Sequence, residues 1–244
     1  MPRLLTPTRS MVIVLLAALL CGCAHTGPAG ETKTGDPWEH FNRSMFKFND
    51  HVDRAVLKPV AKGYKAVLPG LVRKHVGYFF LNLQEPTTIV NDVLQGKLRQ
   101  AGLDLSRFAF NSTFGVLGVF DVATPLGMER HEEDFGQTFS VWGFKTGPYL
   151  VLPFLGPSTV ADGIGLVPST LYTDLRTAYV SADQSYALVG ASAVDTRARL
   201  LGASKVLQLQ LDPYVFERET YLQRRRLLVY DGKPPPQDDD DTTD

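Results

Sequence analysis

Apolar residues recur at helical spacing over most of the chain. Trp38, Phe41, Met45, Phe48 and Val52 fall on one stripe, as a period of 3.6 residues requires. Asp36-Pro37-Trp38-Glu39 ahead of it reads as a helix start, with Asp36 as cap, Pro37 at the first helical position and Glu39 reaching back. Pro59 predicts a break or kink near Lys58. A second stripe, Leu71, Val72, Val76, Phe79, Phe80 and Leu83, is expected to face inward and to close at Glu85-Pro86. Pro86 is then expected to open a short helix burying Ile89, Val90, Val93 and Leu94, with Gly96 as its stop. A fourth helix runs from Lys97 on Leu98, Ala101, Leu105, Phe108 and Ala109. Asp195 and Asp212-Pro213 each read as further starts. The last helix sets Tyr214, Val215, Tyr221 and Leu222 opposite Arg218, Arg224 and Arg225. No period-2 strand and no repeat stand out, so the expected class is mostly α.

Two regions break this rhythm. Met11–Leu20 is an unbroken apolar run behind Arg3 and Arg9. It has the length of a secretion-signal core and is too short for a permanent span. From Phe110 to Gly165 the chain is apolar yet punctuated by Gly and Pro, as in Phe114–Phe120 and Val141–Leu155, with charged Glu129–Asp134 between. Such backbone suits a tightly packed loop region. It equally suits a re-entrant or cavity-lining segment, where protein or water satisfies the amides. Both readings stay open.

The signal run ends in Leu20-Cys21-Gly22-Cys23. Leu-x-Gly-Cys resembles a lipobox, which makes 1–22 a lipoprotein signal peptide and Cys23 the acylated first residue of the mature chain. Ala24, rather than Asp, points to the outer membrane, on its periplasmic side. Both cysteines lie here, so the mature chain has no internal disulfide and rests on packing. Residues 23–35 read as a lipidated tether. The Asp-rich end behind Pro234-Pro235-Pro236 makes 233–244 a disordered acidic tail.

There is no HExxH pair, no Gly-x-Ser-x-Gly elbow and no P-loop, and Gly163-x-Gly165 is too short for a dinucleotide fingerprint. His131-Glu132-Glu133-Asp134 reads as a solvated charged loop rather than a metal site. No enzyme and no cofactor are expected. Arg54, Lys58, Lys62, Lys65, Arg73 and Lys74 form a basic stretch without an acidic residue between Asp53 and Glu85. Lys58, Lys62 and Lys65 share a face if the segment is helical. They suit lipid phosphates or an ordinary solvated surface. The compartment excludes nucleic acid as a partner.

Several longer stretches carry a family resemblance. Asp36-Pro37-Trp38-Glu39-His40-Phe41-Asn42-Arg43-Ser44-Met45-Phe46-Lys47-Phe48-Asn49 resembles the opening of the MlaA (VacJ) lipoproteins. Similar to that family are also Asn82-Leu83-Gln84-Glu85-Pro86 with Asn91 and Gln95-Gly96, Arg107-Phe108, and Asn111-Ser112-Thr113 before Gly115. Phe120-Asp121-Val122-Ala123, Phe135-Gly136-Gln137-Thr138, Gly147–Pro153 and Asp212-Pro213-Tyr214 with Arg218 and Tyr221 complete the set. The likeness makes 36–232 one helical domain.

The resemblance implies a ring of amphipathic helices in one leaflet of the outer membrane, around a channel and without a transmembrane helix. Mislocalised phospholipids would leave the outer leaflet through it and pass to a periplasmic MlaC-like carrier. Trimeric porins would be membrane partners. In that frame Trp38, Phe41, Met45 and Phe48 meet the bilayer interface or the ring, a plain core stripe being the alternative. Lys58, Lys62 and Lys65 join them as lipid contacts. Asp121–Thr138 is expected to be a mobile loop between two apolar hairpin arms, Phe114–Phe120 and Val141–Leu155. Its gating residues are Asp121, Leu126, Met128 and Phe135, a plain surface loop being the alternative. The alternative function is a structural envelope lipoprotein that scaffolds by protein contacts.

Overall fold

The computed structural model describes residues 36–236. The expected signal peptide, Cys23 with its tether, and the Asp-rich part of the tail lie outside the described residues.

Helix α1, Glu39–Val52, starts with Trp38 at its N-cap, later than the expected Asp36-Pro37 start, and Trp38 makes no side-chain capping bond. A π-helical turn, Asp53–Leu57, leads into α2, Lys58–Val67. The turn lies where Pro59, lacking an N–H, cannot continue an α-helical ladder, so the register slips ahead of it. Extended Leu68 and Pro69 then separate α2 from α3, Gly70–Leu94. The expected pair of helices is thus one helix that carries Pro86 inside it. The expected apolar faces are reversed only in part, since Phe80 is buried and Val76, Phe79, Leu83 and Ile89 are half-buried. Asn82, Glu85, Thr88, Asn91 and Asp92 are buried, while Leu71, Val72, Val90, Val93 and Leu94 are exposed.

Helix α4, Leu98–Thr113, packs along α3 and repeats the reversal. It buries Ala101, Asp104, Arg107 and Asn111 and exposes Leu98, Leu103, Leu105 and Phe110. A tight turn, 114–120, follows. A 3-10 turn at Thr124–Leu126 comes next, then α5, Phe135–Val141, capped by Asp134 through the Gln137 amide. The expected hairpin arms do not form. The hairpin is instead β1, Tyr149–Leu152, against β2, Gly156–Thr159, with Leu150 opposite Ser158 and Leu152 opposite Gly156. All four residues of β1 are buried, so its sequence reads as an apolar run without alternation and hides the strand.

Thr159 caps α6, Val160–Pro168, and a second π-helical turn, Ser169–Thr173, closes it. Helix α7, Ala182–Arg199, begins at a Ser181/Gln184 capping box. Asp195 is therefore interior to a helix rather than at its start, and accepts from Tyr64 Oη at 2.9 Å. Short α8, Ala203–Gln208, precedes α9, Pro213–Val229. Asp212 caps α9 through the Tyr214 and Val215 amides, as its sequence suggests.

The apolar core is small. Tyr149, Val151 and Tyr214 form it, with Met45, Phe46, Val215, Tyr221 and Leu222 packed around. Two asparagines one heptad apart fasten α1 to the hairpin. Asn42 donates to the Tyr149 carbonyl at 3.0 Å and accepts from the Val151 amide at 2.9 Å. Asn49 does the same for the Leu152 carbonyl, 2.9 Å, and the Phe154 amide, 2.8 Å. Each side chain thereby stands in for a peptide group on an edge strand that β2 pairs on one side only. Among the described residues no helix is long and apolar enough to cross a membrane.

Candidate functional site: a polar interior and an apolar exterior

The interior is a hydrogen-bonded charge network. Arg107, projecting from α4, collects three partners. Its Nη1 donates to Thr124 Oγ1 at 2.8 Å and to the Met128 carbonyl at 2.7 Å, and its Nη2 pairs with Asp121 at 3.0 Å. Asp121 also accepts from Thr124 and Asn111. Burial works against its charge, but the bonds from Thr124 and Arg107 prevail and hold the carboxyl below its ordinary range. Glu85 pairs with Arg130 at 2.9 Å, yet its burial is deep enough to raise its pKa.

Next to it lies a surplus of acid. Asp92 and Asp104 are both fully buried, one on α3 and one on α4. Asp104 Oδ2 meets His131 Nδ1 at 2.9 Å. Among the described residues Asp104 Oδ1 and both oxygens of Asp92 accept no hydrogen bond. A buried carboxylate without donors is expensive. A proton on Asp92 removes most of that cost. Burial first, then Asp104 and Glu133, push Asp92 up to about 8, against the pull of Lys97.

A second cluster ties α9 to the middle of the chain. Arg225 pairs with Asp134 and with Asp162, and Tyr221 Oη donates to Asp162 at 2.5 Å. Burial and the two carboxylates raise the Tyr221 pKa far above its usual value. Gly136 passes so close to Asp162 and Arg225 that no side chain fits there.

The exterior is the reverse. Exposed apolar side chains crown two turns. Phe114, Val116, Leu117 and Phe120 stand on the 114–120 turn, and Phe154 with Leu155 on the hairpin tip. Val116 (φ 53°), Leu117 (φ 57°) and Phe154 (φ 64°) adopt the left-handed region. That conformation costs roughly 1–2 kcal/mol per residue without glycine. Asn82 holds the first turn through the Leu117 carbonyl at 3.3 Å, Asn49 holds the second, and Phe48 packs edge-on against Phe154 at 5.1 Å. An open apolar groove of about 460 Å³ lies beside the first turn, lined by Val72, His75, Val76, Phe79 and Val119.

The expected site residues distribute as follows. Trp38, Phe41 and Phe48 are exposed, whereas Met45 packs on the core. Lys62 and Lys65 are exposed and Lys58 is half-buried, and none of the three joins an ion pair among the described residues. Arg107 brings Asp121 and the Met128 backbone together. Leu126 is exposed on the 3-10 turn, and Phe135 is buried at the start of α5. Sequence motifs include Asn42, Asn49, Asn82 and Arg107 without a role for them, and Asp92 and Asp104 stand outside those motifs. Their signal was present: polar residues at 82, 85, 88, 91 and 92, and at 104, 107 and 111, trace stripes as regular as the apolar ones.

A helical protein whose packed faces are polar and whose outward faces are Leu, Val and Phe has hydrocarbon, not water, as the complement of its surface. That organisation defines the class of protein whose surface suits lipid, and among the described residues no helix is long and apolar enough to cross a membrane. The particular family follows from comparison: residues 34–228 match the MlaA lipoprotein family, and the chain belongs to it. It is 33% identical over 231 residues to the intermembrane phospholipid transport system lipoprotein MlaA of Haemophilus influenzae, covering 93% of this chain and 92% of that protein. The Escherichia coli K12 protein of the same name is 33% identical over 229 residues, covering 92% and 90%. A solved chain from a study of the structural basis for maintenance of bacterial outer membrane lipid asymmetry superposes with TM-score 0.72. It is 35% identical, and the match covers 80% of this chain and 98% of that one.

Proposed function

We propose that this protein is an outer-membrane lipoprotein that removes mislocalised phospholipids from the outer leaflet and delivers them to a periplasmic carrier of the MlaC kind. The observation that carries the reading is the reversed polarity of α3 and α4, with charge inside and Leu, Val and Phe outside. Names of relatives at about 33% identity over nearly the whole chain support it.

In this reading Cys23 carries the acyl anchor and the domain lies in the inner leaflet as a ring around an amphipathic channel. Trimeric porins are its membrane partners. Trp38, Phe41, Met45 and Phe48 contact the bilayer interface. Lys58, Lys62 and Lys65 present unpaired cations to lipid phosphates. Asp121–Thr138, with Leu126, Met128 and Phe135, is the gating element, and its opening has to release the contacts of Arg107. Transfer involves no covalent chemistry.

The test is outer-leaflet phospholipid in a deletion strain. Accumulation that the intact gene reverses supports transport. Unchanged asymmetry, together with a purified protein that carries no phospholipid beyond an annulus, overturns it in favour of a scaffold.

A further inference from the structure

The groove beside the 114–120 turn has a chemistry of its own. Its wall is a face of α3, Val72, His75, Val76 and Phe79, closed by Val119, and no polar atom contributes surface to it. Val119 is held in place rather than merely adjacent. His75 Nδ1 meets the Val119 carbonyl at 3.0 Å, and the His75 ring packs on Phe120 at 4.8 Å. Gly118, at φ 86°, lies against Asn82 with no room for a side chain. The groove therefore exists before any occupant arrives.

Its lining selects that occupant. A peptide backbone or a polar headgroup seated here would leave donors and acceptors unsatisfied. Hydrocarbon leaves none. The surroundings narrow the choice further. Tyr78 packs against His75 with ring centroids 6.1 Å apart, and Lys74 Nζ lies 5.5 Å above the Tyr78 ring. Lys74 pairs with no carboxylate among the described residues, and Arg73 next to it donates only to the Lys65 carbonyl, at 2.8 Å. An apolar trough with the Lys74 ammonium beyond its His75–Tyr78 edge complements a molecule with a hydrocarbon tail and an anionic head.

We propose that this groove is a berth for one acyl chain of a glycerophospholipid, with the phosphate end toward Lys74. The inference rests on the lipid-transport reading and assigns a place on the molecule to the lipid.

The experiment uses full-length protein in mild detergent, mixed with phosphatidylethanolamine that bears a diazirine near the end of one acyl chain. After irradiation, labelled peptides are mapped by mass spectrometry. Label is expected to concentrate on 72–79 and on Val119, severalfold above the exposed face of α4 at Leu98, Leu105 and Phe110. Val76→Trp fills the groove and is expected to remove that label severalfold while leaving label on α4 unchanged. Val76→Leu is expected to keep it. Val72→Phe, at a more exposed position, is the second filling variant if Val76→Trp misfolds. Lys74→Gln is expected to lower labelling by the phospholipid probe but not by a diacylglycerol probe without phosphate. Uniform label over α3 and α4, label insensitive to both filling variants, or cross-links between two protein chains through the groove would overturn the berth. A wild-type protein that restores asymmetry yet labels uniformly removes the berth and leaves transport standing. One that fails to restore asymmetry removes the transport reading.

Discussion

Asp92→Asn is the sharpest probe of the polar interior. Asp92 is fully buried between α3 and α4 and faces Asp104, Glu133, Lys97 and the His131–Asp104 pair. Its folded pKa is pushed up to about 8, by burial first and Asp104 second. In the unfolded chain it titrates near the ordinary carboxylate value, about 3.9. Above that value the unfolded chain gives up the proton while the folded protein keeps it. Stability therefore falls as pH rises, by about 1.4 kcal/mol per unit, and levels off only past the folded pKa. From pH 6 to pH 8 the loss amounts to about 2 kcal/mol, because the folded carboxyl is itself half ionised at the upper end, or roughly 5–9 °C in Tm for a chain of this size. Asparagine keeps the shape and carries no proton to lose. The assay is thermal melting in detergent at pH 5, 6, 7 and 8 for both proteins. Contributions from groups such as Glu217, raised to about 7 by burial and Asp50, are common to both and cancel in the difference. The variant is expected to gain on the wild type steadily with pH. Parallel profiles, or a variant less stable at pH 8, refute the proton on Asp92.

Other perturbations read other parts of the molecule. Asn42→Ala strips the Tyr149 carbonyl and the Val151 amide of their partner. It should cost about 2–6 kcal/mol in a melt, at 1–3 kcal/mol for each of the two bonds lost, and a cost below about 1 kcal/mol contradicts the fastening role. Gly136→Ala drives a methyl group into Asp162 and Arg225. It should reduce folded protein by about 1–3 kcal/mol of stability, read as lost Tm, and an unchanged Tm speaks against the tight approach. Cys23→Ser should abolish acylation, and mass spectrometry of the mature N-terminus decides it: a wild-type Cys23 without lipid sinks the anchor.

Local caps and breaks were legible in the sequence, while several helix boundaries and helix faces were not. The Asp212 cap, the slip ahead of Pro59 and the mostly α class follow from local chemistry that does not depend on the solvent. The stripes Leu71–Leu83 and Val90–Leu94 were assigned inward because burial of apolar surface is the rule in water. On α3 that rule is reversed in part, and Asn82, Glu85, Asn91 and Asp92 take the interior. Pro86 misled because a helix interior usually rejects proline, yet α3 runs through it. The strand Tyr149–Leu152 escaped because both of its faces are covered. The polar stripes of α3 and α4 stood in the sequence, but their pairings did not. Arg107, Asp121 and Glu85 meet only after α3, α4 and the following loop have packed.

The reversed polarity also bears on how the protein reaches its place. An envelope protein made in the cytoplasm has to pass through water before it meets the outer membrane. In the fold described, Leu98, Phe114, Leu117, Trp142 and Phe154 would face that water together, a surface large enough to drive self-association. Either an escort covers these side chains during transit, or the helices close their charged faces against one another only on arrival, where hydrocarbon replaces the escort. In the second case assembly and delivery are a single event, with the buried Asp, Glu and Arg residues as the latch that sets once the lipid is there.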